Sequence, residues 1–242
     1  FREALAAQAP RTELAAMRHA HLTLACDADV VLDLHCNLEA VVHLYTTAAG
    51  RAQAAALSRH LGAPVLLIAD DSGVACFDEC CSTLWDALRA RFAGRFPIPD
   101  GCFAATVELR GQADVSDALA AGDAGHLFDW MVERGVLAPA AGTPPPRGGF
   151  PEGEATPLAG SQIIAAPAGG IISFRAQVGQ RLQAGEAIAD IVDPMSGSRC
   201  TVCAQGDGLL YAREHRRFVR RGSHLAWVTG RVPLRSGNLL SA

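Results

Sequence analysis

The 242-residue chain contains no lysine, so all 21 of its basic residues are arginines. That excludes a lysine nucleophile, a Schiff base to a carbonyl substrate and a carrier lysine for a covalent cofactor. No apolar run approaches the roughly 18 residues that would span a bilayer, and the opening FREALAAQAPRTEL lacks the basic and apolar regions of a signal peptide. A cytoplasmic location without a membrane partner is expected. Basic residues form no stripe, acidic residues are scattered among them and the formal net charge is -4, which argues against a nucleic-acid partner. Eight cysteines in a chain of this size do not need a disulfide framework and are expected as reduced thiols, most of them small core residues. The pair Cys200 and Cys203 has CxxC spacing but no second pair to complete a zinc tetrahedron. The chain also opens on Phe1 rather than methionine, with residues that already read as helix, so a natural chain extending upstream is expected.

Half of the residues are apolar, enough for one large domain or two smaller ones. Helical and strand patterns alternate over the first 140 residues. Helices are expected at 3–25, 51–62, 83–94 and 115–137, and buried strands in ADVVLDLH, at 63–71 and at 102–111. That alternation predicts an α/β layered sheet with helices on its faces, occupying residues 1–140. Residues 141–157 are dense in proline and glycine and read as an extended connection. From 158 to 242 short apolar strands separated by glycine turns predict a small all-β domain, whose two halves share a rough internal similarity.

Ligands of open α/β sheets bind at the carboxyl ends of the strands. Two strands here end in polar residues: one in Asp33-Leu34-His35, the other in Glu108-Leu109-Arg110. Alternation puts Asp33 and His35 on one side of their strand, and Glu108 and Arg110 on one side of theirs. Either histidine fills space or it binds a metal with Asp33 nearby, and either Glu108 is tied up in an ion pair with Arg110 or it does acid/base chemistry. Asn37 and Glu39 follow in the loop leaving His35, and Phe77, Asp78 and Glu79 read as an acidic loop. His43 reads as strand filling.

In their order, DVVLDLHCNLEAVVHLYT, CFDE, ATVELRGQADV and the tail ATPLAGSQIIAAPAGGIISF resemble the succinylglutamate desuccinylase and aspartoacylase family of zinc-dependent deacylases. The resemblance implies a zinc-carboxypeptidase-like α/β/α sheet, incomplete at the N-terminus, followed by a β sandwich-barrel. It implies His35 as the third ligand of one zinc ion per subunit and Glu108 as the general acid/base; beside it, the spacing offers Asp33 as support behind the ligand, the loop position offers Asn37 as a pocket-lining substrate contact, and Arg110 either binds the substrate anion or pairs with Glu108. The substrate would be a small N-acyl amino acid, and a homo-oligomer is compatible with it. In that family the first two ligands come from an upstream His-x-x-Glu followed by an Asn-Arg pair, and no His-x-x-Glu stands near the start of these 242 residues. Either the natural chain continues upstream or the protein has lost its metal and is an inactive binding or oligomerisation module. The first is expected, because one ligand cannot make a three-ligand catalytic site.

The tail PAGGIISFRAQVGQRLQAGEAIADIVDP also resembles biotinyl and lipoyl carrier barrels. The missing lysine excludes the covalent version. A non-covalent role remains, such as covering the rim of the active site or making a subunit contact.

Overall fold

The computed structural model describes residues 1–142 and 144–240. Thr143 of the expected connection, and Ser241 and Ala242 at the end of the expected β region, lie outside them. In chain order the elements are α1 (Arg2–Ala6), α2 (Glu13–Ala25), β1 (Val30–Asn37), β2 (Glu39–Ala40), β3 (His43–Thr46), α3 (Arg51–Leu61), β4 (Val65–Ile68), α4 (Phe77–Phe92), β5 (Phe103–Gly111) and α5 (Asp117–Glu133). Then come β6 (Glu154–Pro157), a 3-10 turn at Leu158–Gly160, β7 (Gln162–Ala165), β8 (Gly170–Phe174), β9 (Arg181–Leu182), β10 (Ala187–Val192), β11 (Arg199–Cys203), β12 (Gly208–Arg213), β13 (Phe218–Val219) and β14 (His224–Val228).

The fold is mixed α/β. Its first sheet has the order β1-β5-β3-β4-β6. All neighbours in it run parallel except β3 and β5, which are antiparallel. One face of this sheet carries Leu32, Leu44, Leu66, Ala105 and Val107 into a core with Leu57 and Leu61 of α3 and Trp130 of α5. Each fully buried leucine there contributes on the order of 1.5–3 kcal/mol. The opposite face carries Asp33, His35, Tyr45, Leu67, Thr106 and Glu108, and it is the face with a cavity.

Four expectations are corrected. The helix expected at 3–25 is two helices, because Pro10 removes a backbone donor and pushes Ala9 towards extended geometry; α2 restarts on Thr12, whose hydroxyl accepts from the Ala15 N–H at 3.1 Å. The strand expected at 63–71 is confined to Val65–Ile68. The helix expected at 83–94 starts six residues earlier, so Phe77, Asp78 and Glu79 form its first turn instead of a loop. Two carboxylates there complement the positive end of the helix. The connection expected at 141–157 ends in β6, whose four residues pair with β4 at the edge of the first sheet. The remaining helices keep the expected positions: α3 closes on Gly62 in the left-handed region, and α5 opens on the Ser116 hydroxyl, which accepts from the Leu119 N–H at 3.2 Å.

Residues from 162 onward build two antiparallel sheets, β11-β10-β8-β13 and β12-β14-β7, with β9 pairing β12. Exchanging β7, β8, β9 and β10 for β11, β12, β13 and β14 reproduces the strand pairings. β7 lies on β14 as β11 lies on β10, and β9 lies on β12 as β13 lies on β8. The sequence similarity of the two halves is thus a two-fold repeat of topology. Equivalent glycines open β8 and β12, because a Cβ at Gly170 would sit 2.5 Å from the Val192 carbonyl and one at Gly208 would sit 2.0 Å from that of Thr229. β2 breaks the symmetry by leaving the first sheet to pair with the end of β12. Behind it Ala40, Val65, Leu67, Leu158, Leu209, Tyr211 and Leu239 form one apolar cluster that packs the two regions together. Among the described residues no helix is long and apolar enough to cross a membrane.

Candidate active site

The site begins with a register. In the parallel pair β1–β5, Asp33 lies opposite Thr106 and His35 opposite Glu108. On the other side of β5, antiparallel β3 sets His43 level with Glu108 and Tyr45 level with Thr106. Paired residues project to the same face of a sheet, so one row reads His35, Glu108, His43 and the next Asp33, Thr106, Tyr45. Above these rows lies a cavity of about 420 Å³, walled by the first turn of α4 (Cys76 to Glu79), by Leu158 and Trp227 from the β region, and by Leu240.

Glu108 sits at the centre. Its Oε2 is buried and has no hydrogen-bond partner, and burial pushes its carboxyl above the usual range, with Asp33 adding to the rise and His35 opposing it. A buried acceptor without a partner is unusual in a folded protein, and here it borders the cavity. His35 is half exposed, with Nε2 3.1 Å from Oδ1 of Asp33. The two side chains therefore lie side by side on one face of the strand, as alternation requires. Asn37 lines the cavity too, its Oδ1 accepting from the Leu38 N–H at 2.8 Å.

Arg110 is elsewhere. His35 pairs with Glu108 but Asn37 pairs with Gly111, so two residues of β5 face one of β1 across a bulge, and Arg110 takes φ +71° within it. The bulge breaks the alternation that placed Arg110 on Glu108's face. The guanidinium instead holds Asp123 of α5 through two bonds, at 2.8 and 2.5 Å. Arg110 is neither a partner of Glu108 nor a lining residue of the cavity. Glu39 is also displaced from the expected loop: in β2 it accepts from Arg213 and Arg217, both at 2.6 Å.

His43 lies beneath the cavity floor, fully buried between the rings of Tyr45 and Tyr211 at 5.5 and 5.1 Å. Its Nδ1 meets the Val41 carbonyl at 2.8 Å, and desolvation lowers its pKa to about 4. It is a neutral core residue.

Comparison with solved structures places this arrangement. A succinylglutamate desuccinylase/aspartoacylase from Shewanella frigidimarina NCIMB 400 superposes with a TM-score of 0.80 at 24% identity, over 95% of this chain and 61% of its own. A succinylglutamate desuccinylase/aspartoacylase family protein from Shewanella amazonensis SB2B gives 0.79 at 20% identity, over 94% and 62%. The chain has the fold of these proteins. The ectoine utilization protein EutE (DoeB) from Ruegeria pomeroyi follows at 0.68 and 16%, over 93% and 67%. The chain therefore spans about three fifths of the length of the first two. No family model and no curated protein matches it.

Sequence reasoning understated the first turn of α4. Asp78 is buried, accepts from the Thr106 hydroxyl and the Glu79 N–H, and has its carboxyl pushed up mainly by burial. Glu79 accepts from the Ser72 N–H at 3.0 Å. An acidic pair in the first turn of an amphipathic helix was the available signal. Trp227 and Leu240 carry no local signal, since they reach the cavity only through tertiary packing.

Among the described residues no three His, Cys, Asp or Glu side chains are grouped to hold an ion. His35 is one suitable donor with a carboxylate behind it, so these residues do not by themselves fit a three-ligand zinc centre.

Proposed function

We propose that this cavity hydrolyses the amide bond of small N-acyl amino acids, with Glu108 as general acid/base. The observation that carries the reading is the buried, unpartnered Oε2 of Glu108 beside His35. The names of the similar structures, desuccinylases and aspartoacylases, support the reaction class.

A carboxyl held above its usual range exchanges protons closer to neutrality than an exposed one. Glu108 takes a proton from the attacking water as its oxygen bonds to the acyl carbon. The carbon–nitrogen bond then breaks, the proton passes to the leaving nitrogen, and a carboxylate and an amine result. Asp33 keeps the His35 ring in place, and Asn37 lines the path of the substrate.

Zinc, one ion per subunit, belongs to the proposal as an ion that His35 would help to hold. The sandwich-barrel reading of residues 158–242 and their part in covering the site also belong to it, supported by Leu158 and Trp227 in the cavity wall. So does a cytoplasmic setting, which suits eight free thiols. Such a protein acts on small molecules, with neither nucleic acid nor membrane as partner, alone or as a homo-oligomer.

The test is release of free amine from a panel of N-acetyl and N-succinyl amino acids by zinc-supplemented protein, with metal content measured by mass spectrometry. Amine release is expected, together with zinc that falls when His35→Ala is introduced. A well-folded full-length protein that takes up no zinc and releases no amine would instead be a binding module.

A further inference from the structure

The cavity floor changes its chemistry from one strand to the next. Asp33, Thr106, Tyr45 and Leu67 stand level with one another on β1, β5, β3 and β4, and all four line the cavity. Neighbouring strands are about 4.8 Å apart, so this row carries the floor about 14 Å from its first residue to its last. The β1 end is polar: the Thr106 hydroxyl donates to Asp78, and His35 and Glu108 stand in the adjoining row. The β4 end is carbon. Leu67 and the ring of Tyr45 pack with Leu158 and Trp227 of the β region in one apolar cluster, and Leu240 completes the wall. The Tyr45 hydroxyl is taken up by that of Tyr211 and is no polar handle at this end. Tyr45, Trp227 and Leu240 keep part of their surface open, and an apolar wall in a cavity beside polar, chemistry-bearing groups is what a ligand covers.

We propose that the β4 end of the cavity receives an apolar chain of the substrate, carried on its acyl group or on its amino acid side chain, while the bond to be broken lies beside His35 and Glu108. The proposal rests on the hydrolase reading above and names its substrate class. The apolar end is continuous with the reacting end, so its occupant belongs to the same molecule as that bond. Each methylene taken out of water against Tyr45, Trp227 and Leu240 is worth about fourfold in kcat/KM. A carboxylate at the end of the same chain would lose its hydration among carbon atoms, so a charged terminus is rejected.

The experiment uses two isomers that each add four methylenes to N-acetylglycine: N-hexanoylglycine on the acyl side and N-acetylnorleucine on the amino acid side. The zinc-supplemented full-length protein should turn over at least one of them with kcat/KM on the order of 10²-fold above N-acetylglycine, chiefly through KM, and the isomer that gains identifies the arm. Replacing the terminal methyl of that isomer by a carboxylate, as in N-adipoylglycine or N-acetyl-2-aminoadipate, should cancel the gain. Trp227→Ala and, separately, Leu240→Ala should lower the ratio of the longer substrate to N-acetylglycine by about tenfold. No gain for either isomer, an undiminished gain for the carboxylate, or a ratio unchanged in both variants overturns the proposal. If Trp227→Ala does not fold, Leu240→Ala and the wild-type series still decide. If none of the compounds is turned over, the hydrolase reading fails. Calorimetric binding of the same compounds then tests the apolar preference alone, and affinities no higher for the two isomers than for N-acetylglycine overturn it.

Discussion

His35 and Glu108 face each other in register across parallel strands β1 and β5, with Asp33 3.1 Å behind the imidazole. Seventy-three positions separate them in the chain, and one strand pairing makes them neighbours. Replacing Glu108 by Gln preserves shape and removes the proton carrier. Amide hydrolysis should fall by about 10²- to 10⁴-fold in kcat, measured by amine release, with the circular-dichroism spectrum unchanged.

The same substitution has a pH signature in stability. Because burial raises the Glu108 carboxyl in the folded state, its protonated form is favoured by folding. That contribution is fully present below the ordinary glutamate value of 4.5 that applies to the unfolded chain, and is lost as pH rises through the folded value. Glu108→Gln keeps a neutral group at every pH. Its Tm relative to wild type should therefore rise between pH 4 and pH 7, and a constant difference would mean that Glu108 is solvated.

His43 should act in the opposite direction. Its folded pKa is about 4 against 6.5 unfolded, so the unfolded chain takes up a proton first, and stability falls as pH drops through that window. The shift corresponds to about 3 kcal/mol between pH 7 and pH 4. Thermal melts of His43→Phe across that range should show a flatter dependence than wild type, whatever the variant's absolute Tm.

Arg110→Ala separates the two readings of that residue. Asp123 is buried and would lose a two-pronged partner, so unfolding should become easier by about 2 kcal/mol in a denaturant titration. KM for an N-acyl amino acid should stay within about twofold. A tenfold increase in KM without loss of stability would return Arg110 to the substrate.

Gly208→Ala tests the tight turn at the start of β12. Its Cβ would lie 2.0 Å from the Thr229 carbonyl, and backbone rather than a movable side chain is what it meets. Overpacking of this kind should cost about 3 kcal/mol, read from the denaturant midpoint. Gly149→Ala, with nothing within 4 Å, is the matched control and should change little.

The candidate site was legible wherever its chemistry sat on regular strands. Asp33 and His35 share a face because side chains alternate, and that needed no tertiary information. Arg110 was misplaced by the same rule, because a bulge inserts one extra residue and nothing in ELRGQ announces it. The first turn of α4 was read as a loop because acidic side chains hide a helix start whose support comes from packing under Trp85 and Cys81.

By itself the sequence determined the alternation of helices and strands, the exclusion of lysine chemistry, the repeated halves of the β region and the two strand ends that carry the polar residues. These follow from periodicity and composition, which act locally. Only the tertiary structure decided that β5 lies between β1 and β3, that Glu108 is left buried without a partner, that Arg110 turns to Asp123 and that Asp78, Trp227 and Leu240 close the cavity. Those outcomes depend on which strands pair and in what register, and pairing energy is shared among residues too far apart in the chain for local pattern to reveal it.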